Sequence, residues 1–157
     1  NHPRTAVQTG LNMLKAVEKF NEKLMEQGKP EVGMGAGINT GLGYIGGPHT
    51  HAQTKKDFFY LKLDCLAVKG KTVGLEIYTV LDDTKPSWNA SRKHHDQMHN
   101  LYNMKDFDGA IQQAKLIRRS FDGKMADYYD FWIERCEYMK TQDLPEVWDG
   151  VFRATTK

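Results

Sequence analysis

A chain of 157 residues suits one domain of ordinary size, or a small domain with an appendage, and excludes two large folding units. The formal net charge of +2 is mild and the basic residues are spread among acidic ones, which argues against the extended basic face that nucleic-acid binding needs. Cys65 and Cys136, the only cysteines, each lie in an apolar pattern without CxxC spacing; two buried thiols in a reducing compartment, the cytoplasm, are the expectation. No apolar run is long enough to span a bilayer and no signal peptide is visible. With no initiator Met before Asn1, the expectation is a piece of a longer protein whose upstream part could carry a membrane segment.

Along residues 5–27, Val7, Leu11, Leu14, Val17, Phe20 and Leu24 recur at helical steps with charged residues between them, predicting an amphipathic helix that Gly28 and Pro30 stop. In "VGMGAGINTG", Val32, Met34, Ala36 and Ile38 share one face of an extended chain and Gly33, Gly35 and Gly37 the other, so a strand with a bare glycine face is expected. Asn39, Thr40 and Gly41 are turn chemistry, and "LGYIG" reads as the returning arm of a hairpin. A dinucleotide-binding glycine loop is disfavoured, because such a loop leads into a helix N-terminus and this one leads into a turn. After Pro48, "PHTHAQTKK" reads as a short helix or loop. "FFYLKLDCLAV" and "VGLEIYTVL" alternate with period two, and the short "KGKT" between them predicts an antiparallel hairpin turning at Gly70.

The polar, proline-bearing "DDTKPS" marks a boundary, giving a domain over residues 1–83 and a tail over 84–157. Three helix-length segments follow: "ASRKHHDQMHNLYNM", "FDGAIQQAKLIRRSF" and "MADYYDFWIERCEYM". The middle pair resembles a tetratricopeptide hairpin in spacing, but no repeat of that period recurs, so the tail should pack on the domain before it. "LPEVWDGVF" is expected to close the chain as an extended segment pinned by Trp148 and Phe152.

Taken in order, the helix ending in Gly-x-Pro, "VGMGAGINTG" and "LAVKGKTVGLEIYTVL" resemble the C-terminal half of a class III nucleotide cyclase catalytic domain. The tail, with "NLYNMKDFDGAIQQA" and "YYDFWIERCEYM", resembles the extension after the cyclase domain in bacterial receptors that carry a CHASE-type sensor and transmembrane helices. The resemblance implies an α+β fold, a truncated ferredoxin-like sandwich with a C-terminal helical extension. In the family, "GINTG" leads after three residues into Val-Gly-Asn and then a long stretch with the DYT, GDxVN and ASR signatures. Here Ile45 and Gly46 match Val-Gly, Gly47 stands where Asn is usual, and Pro48 already resembles the approach to the final hairpin. The family's purine-reading residue and its transition-state Asn and Arg belong to the absent stretch, and its two metal-binding aspartates fall upstream of Asn1. No catalytic or metal residue is therefore carried over.

What the resemblance does imply is Lys69, the first lysine of "VKGK", as a contact to a nucleotide triphosphate; a compact ammonium charge beside a glycine turn suits phosphate oxygens. Lys71 is read as solvated turn charge, and Asn39 and Thr40 as turn formers. The implied reaction is attack of the ribose 3′-hydroxyl on the α-phosphate of ATP, giving cyclic AMP and pyrophosphate. ATP is preferred over GTP because adenylate activity is commoner among such receptors. It needs two metal ions, Mg or Mn in the intact family enzyme, and none is expected on this chain alone. Asp64, Asp82 and Asp83 read as surface charges. His95 and His99 share a helix face beside His94 and Asp96, but two imidazoles without a third positioned ligand are a weak transition-metal site, and a polar helix face is the expectation. Tyr128, Tyr129, Phe131 and Trp132 read as packing, and the Asn89 sequon has no meaning in a cytoplasmic chain.

Two functions follow. The first is a fragment of a bacterial adenylate cyclase in signal transduction, the cytoplasmic part of a membrane-anchored receptor, acting as a homodimer and inactive as this chain alone. The alternative is a catalytically dead interaction module whose helical tail binds a protein partner.

Overall fold

The computed structural model describes residues 2–38, 49–67, 74–81 and 85–153. It mixes helices and strands, as the α+β expectation requires at that coarse level. The chain divides into two compact units, Asn1–Tyr60 and Leu61–Lys157.

In the first unit, α1 (His2–Glu26) follows the amphipathic pattern and ends where Gly28 allows. Gly28 takes φ +67, Lys29 N–H donates to the Leu24 carbonyl and Gly28 N–H to that of Met25, the paired bonds of a Schellman stop. Only the N-terminal half of the stripe is buried, at Pro3, Val7, Gly10 and Leu11, whereas Leu14 and Phe20 remain exposed. The chain then turns back along the helix. The Asn21 side-chain amide donates to the Val32 carbonyl and accepts from the Val32 N–H, both at 2.9 Å, standing in for a neighbouring strand. Residues 29–38 are extended but form no ladder among the described residues, so the expected strand is present as backbone direction without pairing. A Cβ on Gly33, Gly35 or Gly37 would meet nothing within 4 Å, so the glycine face is as bare as the sequence implies. The turn at Asn39 and Thr40 and the "LGYIG" arm lie outside the described residues.

Past that gap, α2 (His49–Thr54) is the short helix, closed by the buried Thr54. Its hydroxyl donates to the Thr50 carbonyl at 2.6 Å and accepts from the Tyr60 hydroxyl at 2.7 Å.

The second unit is built on β1 (Phe59–Ala67), β2 (Leu75–Leu81) and β3 (Phe152–Arg153), in the order β2-β1-β3. β2 pairs antiparallel with β1, as the short connection predicts, and β3 returns from the chain end to pair parallel, Leu66 opposite Phe152 and Ala67 opposite Arg153. Three helices follow, α3 (Trp88–Asn103), α4 (Phe107–Ile117) and α5 (Ala126–Lys140); α3 and α5 bond to β1, and α4 packs on both of them. Each matches one of the helix-length segments, and each buries one stripe. On α3 the stripe is His95, Met98, His99 and Tyr102, the i, i+3, i+4, i+7 set. Ala110 and Ala114 on α4 are fully buried small residues that let α4 approach both neighbours, and the Asp106 carboxylate caps α4 by accepting from the Gly109 N–H at 2.9 Å. A Cβ on Gly109 would lie 2.5 Å from that carboxylate, which explains a glycine inside the first turn.

α3 also ends in a Schellman arrangement, Asp106 N–H to the Leu101 carbonyl and Lys105 N–H to that of Tyr102, but the left-handed residue is Lys105 at φ 62 rather than glycine. Its ammonium reaches across to the carbonyls of Pro145 and Glu146 and holds the closing segment. Trp148 in that segment stacks edge-on against Tyr102 and Phe107 at 4.9 and 5.9 Å, the pinning role expected of it. Cys136 is buried as expected, its thiol pushed up to about 12 chiefly by loss of solvent, while Cys65 is only half-buried.

Candidate functional site

Lys69, with the whole of residues 68–73, lies outside the described residues. So do Lys71, Asp82 and Asp83. The described chain reaches Ala67 on one side of that turn and resumes at Gly74 on the other. Gly74 is closely approached: a Cβ there would fall 2.6 Å from Cys65 Sγ and 2.9 Å from Val151, so the start of β2 needs glycine.

The densest chemistry among the described residues lies beneath β1, where α3 and α5 meet its backbone. His95 Nε2 is 2.7 Å and His99 Nε2 3.0 Å from the Lys62 carbonyl oxygen. A carbonyl only accepts, so both rings carry their proton on Nε2 and both of its lone pairs are used. His95 Nδ1 then accepts from the Tyr129 hydroxyl at 3.0 Å. His99 Nε2 also lies 3.0 Å from the Tyr128 hydroxyl oxygen, and that hydroxyl donates to the Leu63 carbonyl at 2.7 Å. Two neighbouring strand carbonyls are thus bound by side chains from two helices.

These histidines are not the polar helix face that the sequence suggested. His95 is 0% and His99 6% exposed, because α5 closes over the stripe of α3 on which they lie. Loss of solvent disfavours the imidazolium of both: His95 is lowered from its ordinary value, and His99 falls to about 3 with His95 and Lys62 adding repulsion. Burial likewise raises Tyr128, Tyr129 and Tyr102, so every member of the cluster is neutral at pH 7. His94, by contrast, is half-buried and meets the Gln113 side chain at 2.8 Å, and Asp96 is exposed.

Beside the cluster lies an ion pair. Asp64, expected at the surface, is 8% exposed; one carboxylate oxygen accepts from the Cys65 N–H at 2.8 Å and the other from Arg135 at 2.5 Å. The Arg135 guanidinium is itself sandwiched by the rings of Phe131, Phe152 and Trp132 at 4.5, 4.5 and 4.9 Å. Sequence alternation assigned Asp64 to a face of β1 but could not say that α5 covers that face. The missed partner left a signal, for Tyr128, Trp132 and Arg135 fall on one side of α5, and a charge on an otherwise apolar stripe needs a buried counter-charge. Of the aromatic run, Tyr129 and Trp132 are buried, Tyr128 is half-buried and Phe131 is 48% exposed. The Trp132 indole N–H lies near the Tyr128 hydroxyl without reaching hydrogen-bond geometry, so Trp132 is held by ring edges, from His99 at 4.7 Å and Tyr102 at 4.8 Å.

Chemically, this arrangement fixes a helical layer to a strand. The Nε2 atoms of the two histidines and the Tyr128 and Tyr129 hydroxyls point at backbone carbonyls or at each other, whereas, among the described residues, the Tyr102 hydroxyl and the Trp132 indole N–H are buried without a hydrogen-bond partner. No group of three metal-ligating side chains occurs among the described residues. No helix among them is long and apolar enough to cross a membrane. No family model, characterised protein or solved structure matches this chain.

Proposed function

We propose that the chain is part of a class III adenylate cyclase, contributing sheet scaffold and Lys69 as a contact to the triphosphate of ATP, and that it is inactive alone. The observation that carries this reading is the co-occurrence of "GINTG" and "VKGK" in that order in the sequence. Two further features support it. The order of α1, the Gly28–Pro30 break, an extended run to Ile38, then β1 and β2, is compatible with a truncated ferredoxin-like sandwich. The exposed Leu14 and Phe20 leave apolar side chains of α1 uncovered, as on a helix that a sandwich would pack against a sheet. Mg or Mn would enter with carboxylates that this chain does not supply, as would the Asn and Arg that stabilise the transferring phosphate. Homodimerisation belongs to the same reading.

The alternative, an interaction module, is favoured by one observation: two β1 carbonyls accept hydrogen bonds from side chains of α3 and α5, which makes the strand a platform for the helices. Hydrogen exchange with and without a non-hydrolysable ATP analogue and Mg separates the two. The cyclase reading expects analogue-dependent protection around residues 67–75, lost in Lys69→Ala with a roughly tenfold or greater fall in affinity, as for a charge-assisted phosphate contact, and kept in Lys71→Ala. Absence of protection at millimolar analogue favours the interaction module. Cyclic AMP made by the purified chain contradicts its proposed inactivity.

A further inference from the structure

The junction beneath β1 is unusual in what it concentrates. Two imidazoles from adjacent turns of α3, centroids 4.9 Å apart, converge on one carbonyl with no carboxylate among the described residues bonded to either. Charged groups reach them from several elements. β1 supplies Lys62, ion-paired with Glu76 of β2 at 2.8 Å, and Asp64, which is already committed to Arg135 of α5. α5 also brings the Tyr128 and Tyr129 hydroxyls, α3 itself brings Asp96, and α4 buries only the apolar Phe107, Ala110, Ile111, Ala114 and Ile117. A proton added to either ring therefore enters a buried site with a second imidazole, a lysine and an arginine nearby and no counter-charge among the described residues bonded to it. In an opened junction each ring meets water and ionises as an ordinary histidine.

We propose that the seam joining α3 and α5 to β1 is an acid-operated latch, closed while both rings are neutral and released when the opened form takes up two protons, the helices themselves persisting. No bond is made or broken; the balance is protons alone, with up to two bound by the open form and none by the closed. With ordinary histidines in the open form, each ring raises the opening equilibrium by up to about 25-fold between pH 7 and pH 5, and the two together by up to about 600-fold. The sign is fixed by geometry: closure excludes water from both rings and, among the described residues, bonds neither to a carboxylate, so acid opens the seam. This inference is independent of the cyclase reading, since it involves neither Lys69 nor a nucleotide.

The test is hydrogen exchange of the β1 amides on the whole chain from pH 7.5 to 4.5, corrected for the intrinsic pH dependence of exchange, with far-UV circular dichroism followed in parallel. Wild type is expected to lose β1 protection steeply below pH 6.5 while helical signal is retained. His95→Gln and His99→Gln, which keep an N–H for the Lys62 carbonyl but cannot titrate, are each expected to shallow the slope by about one proton, and the double variant to flatten it. A double variant with the wild-type pH dependence overturns the proposal. Should the variants fail to fold, carbon-detected NMR of the wild-type imidazoles decides: both rings neutral and Nε2-protonated down to pH 5 in the folded state uphold it, and a ring that titrates near pH 6.5 there overturns it.

Discussion

Arg135 shows how much one side chain is asked to do. It neutralises the buried Asp64 and fills the space between Phe131, Trp132 and Phe152, so it ties α5 to β1 and lies against β3. Removing the guanidinium alone leaves a carboxylate buried without its cation, a loss of about 3–5 kcal/mol, whereas replacing both partners with apolar groups removes the charge problem altogether. Arg135→Met should therefore lower the urea midpoint sharply, and Arg135→Met combined with Asp64→Leu should recover most of it. Equal destabilisation of the single and double variants would show that the guanidinium acts only through packing. Asp64 was legible in the sequence as a residue and as a face of a strand; its burial was not, because its partner is 71 positions away.

Elements here are ended by local chemistry and tied down by distant chemistry. α1 stops at Gly28, where a left-handed residue costs nothing sterically, whereas α3 stops through the same bonding pattern at Lys105, where a side chain must tolerate φ 62. The lysine is retained there by its bonds to the Pro145 and Glu146 carbonyls, which anchor the segment delivering β3. Lys105→Gly should relieve the backbone strain by about 1 kcal/mol while releasing that segment. The expected outcome is an unchanged or raised melting temperature together with faster amide exchange at 146–148; unchanged exchange would show that Trp148 alone holds the segment.

At the scale of the whole molecule, the two compact units differ in how they are built. The first rests on one long helix with a half-used apolar stripe and an extended run tied by Asn21, and the second on a three-helix layer with a buried polar seam. All three tryptophans, Trp88, Trp132 and Trp148, belong to the second unit, so their fluorescence reports it alone. Heating should give two transitions by calorimetry, of which fluorescence follows one, and Arg135→Met should move only that one. A single transition coincident by both probes would mean that the units unfold together.

Periodicity, glycine stops and the short connection after β1 were enough to place α1, α3, α4, α5 and the antiparallel pair β1 and β2 to within a few residues, because these depend on neighbours in sequence. The same local signals predicted a strand at 32–38 that the structure does not form among the described residues, since an extended run becomes a strand only when another backbone pairs with it, and here the amide of Asn21 takes that place at Val32. They also misjudged His95, His99 and Asp64. Leu61 and Asp64 have opposite parity in β1 and are both buried, so alternation, which distinguishes only two faces, could not say what covers either. That was decided by the packing of α3 and α5 over β1, which makes the burial of a polar side chain a property of the assembled unit rather than of its own stretch of chain.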